Sequence, residues 1–283
     1  MKILVTGTNG FTGRAFLRAA KAAGHAILPV RANLTDAAAL NAELLDADFD
    51  AVVHLAAISF VAHADDVAFY AVNTVGTTNL LQTLRQRTQP LRAVLLASSA
   101  NIYGNNPNSP LVEDEPPQPV NHYAASKLAM EKIALTHADA LPLFITRPFN
   151  YTGPGQAEQF LIPKLVKHFA QKAPVIALGN LHVEREFNDI EFVCEAYLGL
   201  LEFGETGQVY NICSGKPYTL HNVLQVLKDL TGHSPEIQVN PAFVRANEVH
   251  RLCGNPGKLM TLFRRHERIL QSPTLRQTLE KML

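Results

Sequence analysis

The chain opens on an apolar run, Lys2-Ile3-Leu4-Val5, and short apolar runs recur through its first half with helical patterns between them. The spacing predicts strands over 3–6, 25–30, 51–55, 93–97 and 144–147, and helices over 13–23, 68–86 and 123–137. The strands are apolar at nearly every position rather than at alternate ones, as expected when both faces are buried in a parallel sheet. Strand–helix alternation of this kind predicts an α/β fold with a doubly wound parallel sheet. After Pro148 the pattern changes. A turn-rich segment, Asn150-Tyr151-Thr152-Gly153-Pro154-Gly155, leads into shorter elements, with helices expected over 161–171, 192–203 and 219–230. An apolar run at 210–213 reads as a strand returning to the main sheet. The predicted division is a nucleotide-binding domain, 1–148 with a returning segment at about 187–215, and a smaller C-terminal substrate-binding lobe made of 149–186 and 216–283.

Composition narrows this picture mainly by exclusion. The 283 residues are 47% hydrophobic, enough for a large core without disulfides or metals. The 25 basic and 25 acidic residues give a formal charge of +0, which offers no bulk field for nucleic acid or an anionic membrane. No apolar run is long enough to span a bilayer, and the opening strand leaves no room for a signal peptide. Cys194, Cys213 and Cys253 are scattered and lack metal-ligand spacing. The expectation is a cytoplasmic protein with reduced cysteines and no metal.

The first chemical signal sits between the first strand and first helix, in Thr6-Gly7-Thr8-Asn9-Gly10-Phe11-Thr12-Gly13. Gly7 permits a tight turn, Gly10 lets the backbone approach a pyrophosphate, and Gly13 lets the helix pack close to the strand. The helix N-terminus then offers N–H groups to the phosphates. A Rossmann dinucleotide site follows, with Gly7, Asn9, Gly10, Phe11, Thr12 and Gly13 as cofactor-binding candidates. Cofactor choice belongs at the end of the second strand, where an acidic residue would accept the ribose 2′-hydroxyl. None occurs between His25 and Thr35; Arg31 stands there, followed by Asn33 and Leu34. A guanidinium suits a 2′-phosphate, so NADP(H) is favoured and NAD(H) stays possible. A solvated surface arginine is the plain alternative.

The second signal is Tyr123-Ala124-Ala125-Ser126-Lys127, which places a phenol and an ammonium on one helical face. A phenol titrating near 10 needs a neighbouring positive charge to exchange protons readily at neutral pH. Upstream, Ser98-Ser99-Ala100-Asn101-Ile102-Tyr103-Gly104 follows the strand at 93–97, at the carboxyl edge where such sheets bind ligands.

The glycine turn in its G-x-x-G-x-x-G form, the serine after a later strand and the Tyr-x-x-x-Lys pair occur in the order of the extended short-chain dehydrogenase/reductases (the NAD-dependent epimerase/dehydratase family), which this chain resembles. The resemblance implies Ser99, Tyr123 and Lys127 as catalytic residues, with Tyr123 and Lys127 also touching the cofactor. It places His54-Leu55-Ala56-Ala57 beside the cofactor, adding Leu55, Ala56 and Ala57, and makes Asn73 an organiser of the site. His63 and His122 have no required role. Arg147 to Gln156, Tyr210 to Gly215 and Leu28 to Arg31 are similar to segments of the family's GDP-sugar reductases. That similarity implies substrate contacts at Ser99, Asn101, Asn150, Arg185, Arg245 and Glu248, although a solvated or interlobe Arg185 stays open. Phe192 departs from the family's usual aspartate.

The family's 4,6-dehydratases carry acidic residues just after the catalytic hydroxyl. Ala100 and Asn101 stand there and cannot move protons in that way. The implied reaction is NAD(P)H-dependent reduction of the 4-keto group of a nucleotide-linked 6-deoxy-sugar, GDP-4-dehydro-6-deoxy-D-mannose to GDP-D-rhamnose. A 4-epimerase with retained NAD and a non-catalytic redox sensor are the alternatives. The resemblance also implies a homodimer built on the helices that carry Asn73 and Lys127.

Overall fold

The computed structural model describes residues 1–61, 64–243 and 248–283. Six strands form the main sheet: β1 (Lys2–Thr6), β2 (Ala26–Pro29), β3 (Ala51–His54), β4 (Ala93–Ala97), β5 (Leu143–Pro148) and β6 (Val209–Ile212). Their order is β6-β5-β4-β3-β1-β2 and every pairing is parallel. Ile3, Leu4, Val5, Val52 and Val53 have no exposed surface, as their unbroken apolar runs predict for a sheet covered on both sides. The apolar run after Gly207 does return to the sheet, where β6 pairs with β5.

The chain leaves β1 outward to β2, then comes back past β1 to β3 and continues the other way. The strand order therefore reverses between β1 and β3, and a crevice opens at their carboxyl ends. One face of the sheet is covered by α1 (Phe11–Ala22) and the other by α2 (Ala37–Leu44), a helical stretch α3 over 66–86, and α4 (His122–Leu135). Beyond β5 come α5 (Leu161–Ala170), α6 (Ile190–Phe203), α7 (Leu220–Thr231), α8 (Gly257–Arg265) and α9 (Leu275–Glu280). Of these, α6 and α8 join α1 on the first face. By contrast α5, α7 and α9 bury Leu165, Phe169, Val223, Leu227 and Leu279 in a separate core with Ile176 and Leu178.

Several elements differ from the sequence expectation, which included neither α8 nor α9. α2 was not anticipated: it is capped by Asp36, whose side chain accepts the Ala39 N–H, and it buries Leu40 and Leu44. The long helix is not uniform either, because a π-helical segment, Tyr70–Gly76, interrupts it around Asn73. Such segments shift the helix face and free carbonyls for other donors. Here the Asn73 carbonyl takes the Thr77 hydroxyl at 2.7 Å.

That hydroxyl belongs to a buried polar chain. His54, at the end of β3, lies between Thr6 Oγ1 at 2.7 Å and Thr77 Oγ1 at 2.8 Å. Thr6 Oγ1 also accepts the N–H groups of Leu55 and Ala56, each at 3.1 Å, which shapes the loop beside the first glycine turn. Burial, reinforced by the Lys127 charge, pushes the His54 imidazole down to about 3. A histidine held neutral in the folded state gains its proton on unfolding below pH 6.5, so its contribution to stability is complete above that value and is lost as pH falls toward 3. Lowering the pH from 7 to 5 should therefore cost about 2 kcal/mol through this one group. Urea unfolding at both pH values checks this: His54→Gln should show a correspondingly smaller pH effect, and an equal one would refute it.

Candidate active site

The crevice between β1 and β3 widens into a cavity of about 460 Å³. Gly7, Gly10, Phe11, Thr12, Gly13, Leu55 and Ala57 form one end of its wall, and Ser99, Asn101, Tyr123, Lys127 and Asn150 continue it. The first end has the form of an anion cradle. Gly7 adopts φ +72°, and a side-chain carbon there would lie 2.6 Å from the Ala56 nitrogen; at Gly13 it would meet the Gly7 carbonyl at 2.1 Å. Gly10 caps α1 without any side-chain hydrogen bond, and no acidic residue occupies the first turn. The N–H groups of that turn are therefore open to phosphate, and the residues present fit a dinucleotide pyrophosphate. Arg14 adds a cation at the cavity wall, with one guanidinium nitrogen donating to the Asn9 carbonyl and the other to Gly155 O at 3.1 Å.

The other end carries the titratable groups. Tyr123 is 8% exposed and Lys127 3%, both in the first turns of α4, which Asn121 caps by accepting the Ala124 N–H. Ser99 Oγ accepts two hydrogen bonds from Asn101, from its backbone N–H at 3.2 Å and its side-chain amide at 3.1 Å. With both lone pairs used, the Ser99 proton points outward as a donor, and the hydroxyl is paired with the Tyr123 phenol. Asn101 thus orients the serine as well as lining the cavity.

Burial drives the two ionisations in opposite directions. It pushes the Tyr123 phenol up to about 12, against a smaller opposing effect of the Ser99 hydrogen bond. It pulls the Lys127 ammonium down to about 8, against the attraction of Glu131. In the free protein the phenol therefore stands above its ordinary value, because desolvation outweighs the Ser99 hydrogen bond. Lys127 Nζ instead donates to the Ala97 carbonyl at 2.7 Å.

Of the remaining candidates, those among the described residues lie outside the cavity wall. Asn73 is wholly buried; its side chain holds the Ile58 backbone at 2.9 and 3.1 Å and donates to Ser126 Oγ at 3.0 Å, tying the loop after β3 to α4. Its place is behind the site. Asn33 accepts from Thr35, Leu34 is buried against Gly76, and Arg31 is exposed at the end of β2. Ala56 lies behind Gly7, and Asn9 meets Arg14 through its carbonyl. Arg185 pairs with Glu248 at 2.7 Å and donates to the carbonyls of Glu184, Val249 and His250, so it joins two segments of the lobe. Arg245 lies outside the described residues.

Several wall residues were not among the individual candidates, although Tyr151 and Gln156 fall within the segment Arg147 to Gln156. Tyr151, from the turn after β5, stacks on Phe11 at 6.1 Å and shares a hydrogen bond with Thr12 at 2.7 Å. It thereby ties the cradle to the segment that lines the far end. Tyr197 enters the wall from α6 and Gln156 from the same turn. Behind them Arg147 and Glu131 form a buried ion pair at 2.7 Å. Arg147 also donates to the Tyr103 hydroxyl, which donates to Asn211.

Comparison with known proteins matches residues 3–213 to the NAD dependent epimerase/dehydratase family. The chain belongs to that family. It is an NAD(P)-dependent oxidoreductase of the extended short-chain type, with the Rossmann sheet shared by its structural neighbours. It is 35% identical over 268 residues to GDP-6-deoxy-D-talose 4-dehydrogenase of Aggregatibacter actinomycetemcomitans, covering 93% of this chain and 91% of that one. It is 36% identical over 274 residues to GDP-6-deoxy-D-mannose reductase of Pseudomonas aeruginosa, covering 91% and 89%. Among solved structures, RMD from Pseudomonas aeruginosa complexed with NADPH superposes with a TM-score of 0.89 at 32% identity, covering 99% of this chain and 96% of that one. Among the described residues no helix is long and apolar enough to cross a membrane, and no group of side chains could hold a metal ion.

Proposed function

We propose that the protein uses NAD(P)H to reduce the 4-keto group of a nucleotide-linked 6-deoxy-sugar, converting GDP-4-dehydro-6-deoxy-D-mannose to GDP-D-rhamnose. The observation that carries this reading is the make-up of the cavity wall: among the described residues it contains Ser99, Tyr123 and Lys127 but no aspartate or glutamate. Dehydration requires acid–base groups for a second carbon and a leaving hydroxyl, whereas carbonyl reduction requires one proton donor and one hydrogen-bond donor. The two curated relatives named above are GDP-6-deoxy-sugar enzymes acting in redox reactions, which supports the substrate class.

The bound cofactor supplies the hydride that arrives at C4. Tyr123 gives its phenolic proton to O4 as the carbonyl becomes a secondary alcohol. A phenol pushed up to about 12 is fully protonated at neutral pH, the form that a reduction needs at its start. Ser99, already oriented as a donor by Asn101, hydrogen-bonds O4 and holds it against the phenol. Lys127 keeps a positive charge beneath the site, where it favours the phenolate left after transfer. Asn150 contacts the sugar-phosphate end, while Arg185 and Glu248, paired in the free protein, shape the nucleotide end of the lobe. In this division residues 1–148 and about 187–215 hold the cofactor, with α8 packed on that side, and the rest holds the substrate.

Incubation with GDP-4-dehydro-6-deoxy-D-mannose and NADPH or NADH tests the reading. Stoichiometric oxidation of the cofactor, with a product whose C4 configuration is fixed by NMR, is the expected result. Isomerised sugar without cofactor consumption would instead identify a 4-epimerase, and binding without turnover a sensor. The same reading includes a homodimer through α3 and α4, supported by Val67 and Val75, which are 74% and 51% exposed on α3. Light scattering at micromolar concentration should give twice the 31.0 kDa chain mass; a clean monomer would rule the dimer out.

A further inference from the structure

The end of the second strand is where a dinucleotide-binding sheet distinguishes a ribose 2′-hydroxyl from a 2′-phosphate. No acidic residue lies there in sequence, yet the fold delivers one. Glu43, in the last turn of α2, reaches back and accepts the Arg31 N–H at 2.9 and 3.2 Å and the Ala32 N–H at 2.6 Å. The Val30 N–H is still engaged with the Val5 carbonyl of β1, so these are the next two peptide N–H groups beyond the strand. Successive backbone N–H groups at a strand end make a natural anion site, and the anion they hold here is the protein's own carboxylate. Arg31 projects from the same turn and is exposed. A cation and an anion thus flank one position, each favouring a different cofactor. The guanidinium attracts a 2′-phosphate; the carboxylate repels it and takes up the N–H groups that would bind it.

We propose that Glu43 is a determinant of cofactor choice that opposes Arg31, so that the protein accepts both NADH and NADPH. The inference rests on the reading of the protein as a nicotinamide-dependent enzyme but not on its sugar substrate. Glu43 acts by placing negative charge beside the 2′ position and by withholding two peptide donors from a phosphate there. Removing its charge releases the first constraint and shortening the side chain releases both, and only the phosphorylated cofactor gains from either.

Dissociation constants for NADH and NADPH, measured by nicotinamide fluorescence on the whole chain without any sugar, test the proposal. The wild type should bind both within about a factor of ten of each other. Glu43→Gln should shift the ratio toward NADPH by about tenfold and Arg31→Ala toward NADH by about tenfold, the scale of one charge-assisted hydrogen bond. The double variant should return near the wild-type ratio. Glu43→Ser serves as a second charge-removing variant and should move the ratio in the same direction as Glu43→Gln. A ratio untouched by either Glu43 variant while both cofactors still bind would overturn the proposal, as would equal weakening of both cofactors, which would make Glu43 a prop for the loop. Failure of the wild type to bind either cofactor would overturn the nicotinamide reading itself and this inference with it.

Discussion

Tyr123→Phe is expected to lower kcat about a thousandfold while leaving NAD(P)H binding nearly unchanged. The substitution removes one oxygen and keeps the ring, which packs beside Phe69 with centroids 6.1 Å apart. Positioned general acids contribute about 10²–10⁴ to rate, and among the described residues the cavity wall has no carboxylate or imidazole to take over. Lys127 is occupied by the Ala97 carbonyl, and the Ser99 hydroxyl is far too weak an acid to replace a phenol. Steady-state rates with saturating cofactor, read together with a fluorescence titration of NADPH, separate the two effects. Residual kcat above about a tenth of the wild type would remove Tyr123 from its assigned role. A parallel loss of cofactor affinity would point to a packing defect.

The second large effect concerns stability. Glu131→Gln should cost about 3 kcal/mol, because it leaves the Arg147 guanidinium charged inside the protein without its counter-ion. The two side chains are 2% and 7% exposed and meet through two hydrogen bonds, at 2.7 and 3.0 Å. Arg147 is fastened further by the Tyr103 hydroxyl and the Glu113 carbonyl, both at 2.8 Å, so it has little freedom to reach water. Replacing both charged partners, as Glu131→Leu with Arg147→Met, should recover part of the loss, since no buried charge then remains. Urea unfolding at pH 7 provides the comparison. A single substitution costing under about 1 kcal/mol would mean that water reaches the pair and that its burial has little energetic weight. The pair stands behind Tyr123 and Lys127 on α4, and the attraction of Glu131 opposes the desolvation of Lys127. Loss of that attraction should also move the pH dependence of turnover toward lower pH.

What the sequence conveyed reliably was local. The strands of the main sheet were legible because each is a run of apolar residues buried on both faces, and β4 falls on the expected residues. The glycine turn was legible because its three positions need the absence of a side chain within a single turn of backbone, a constraint of spacing alone. The pairing of Tyr123 and Lys127 on one helical face was likewise legible from helical periodicity. α2 escaped notice because its alanine-rich run has too few apolar–polar contrasts to show a face, although the Asp36 cap was available as a signal.

The sequence by itself determined the sheet, the glycine turn after β1 and the placing of Tyr123 and Lys127 on one helical face, because each depends on spacing within one element or one turn. Only the tertiary structure decided the electrostatics. Burial raises the Tyr123 phenol of the free protein; Asn101 turns Ser99 into a donor; Arg185 and Glu248 meet each other outside the cavity wall. The acid missing from the end of β2 is supplied by Glu43 from the following helix. In each case the deciding quantity is the distance between groups that the chain brings together, or their distance from water. Coulombic and desolvation energies depend on those distances in space, and residue spacing along a sequence does not specify them.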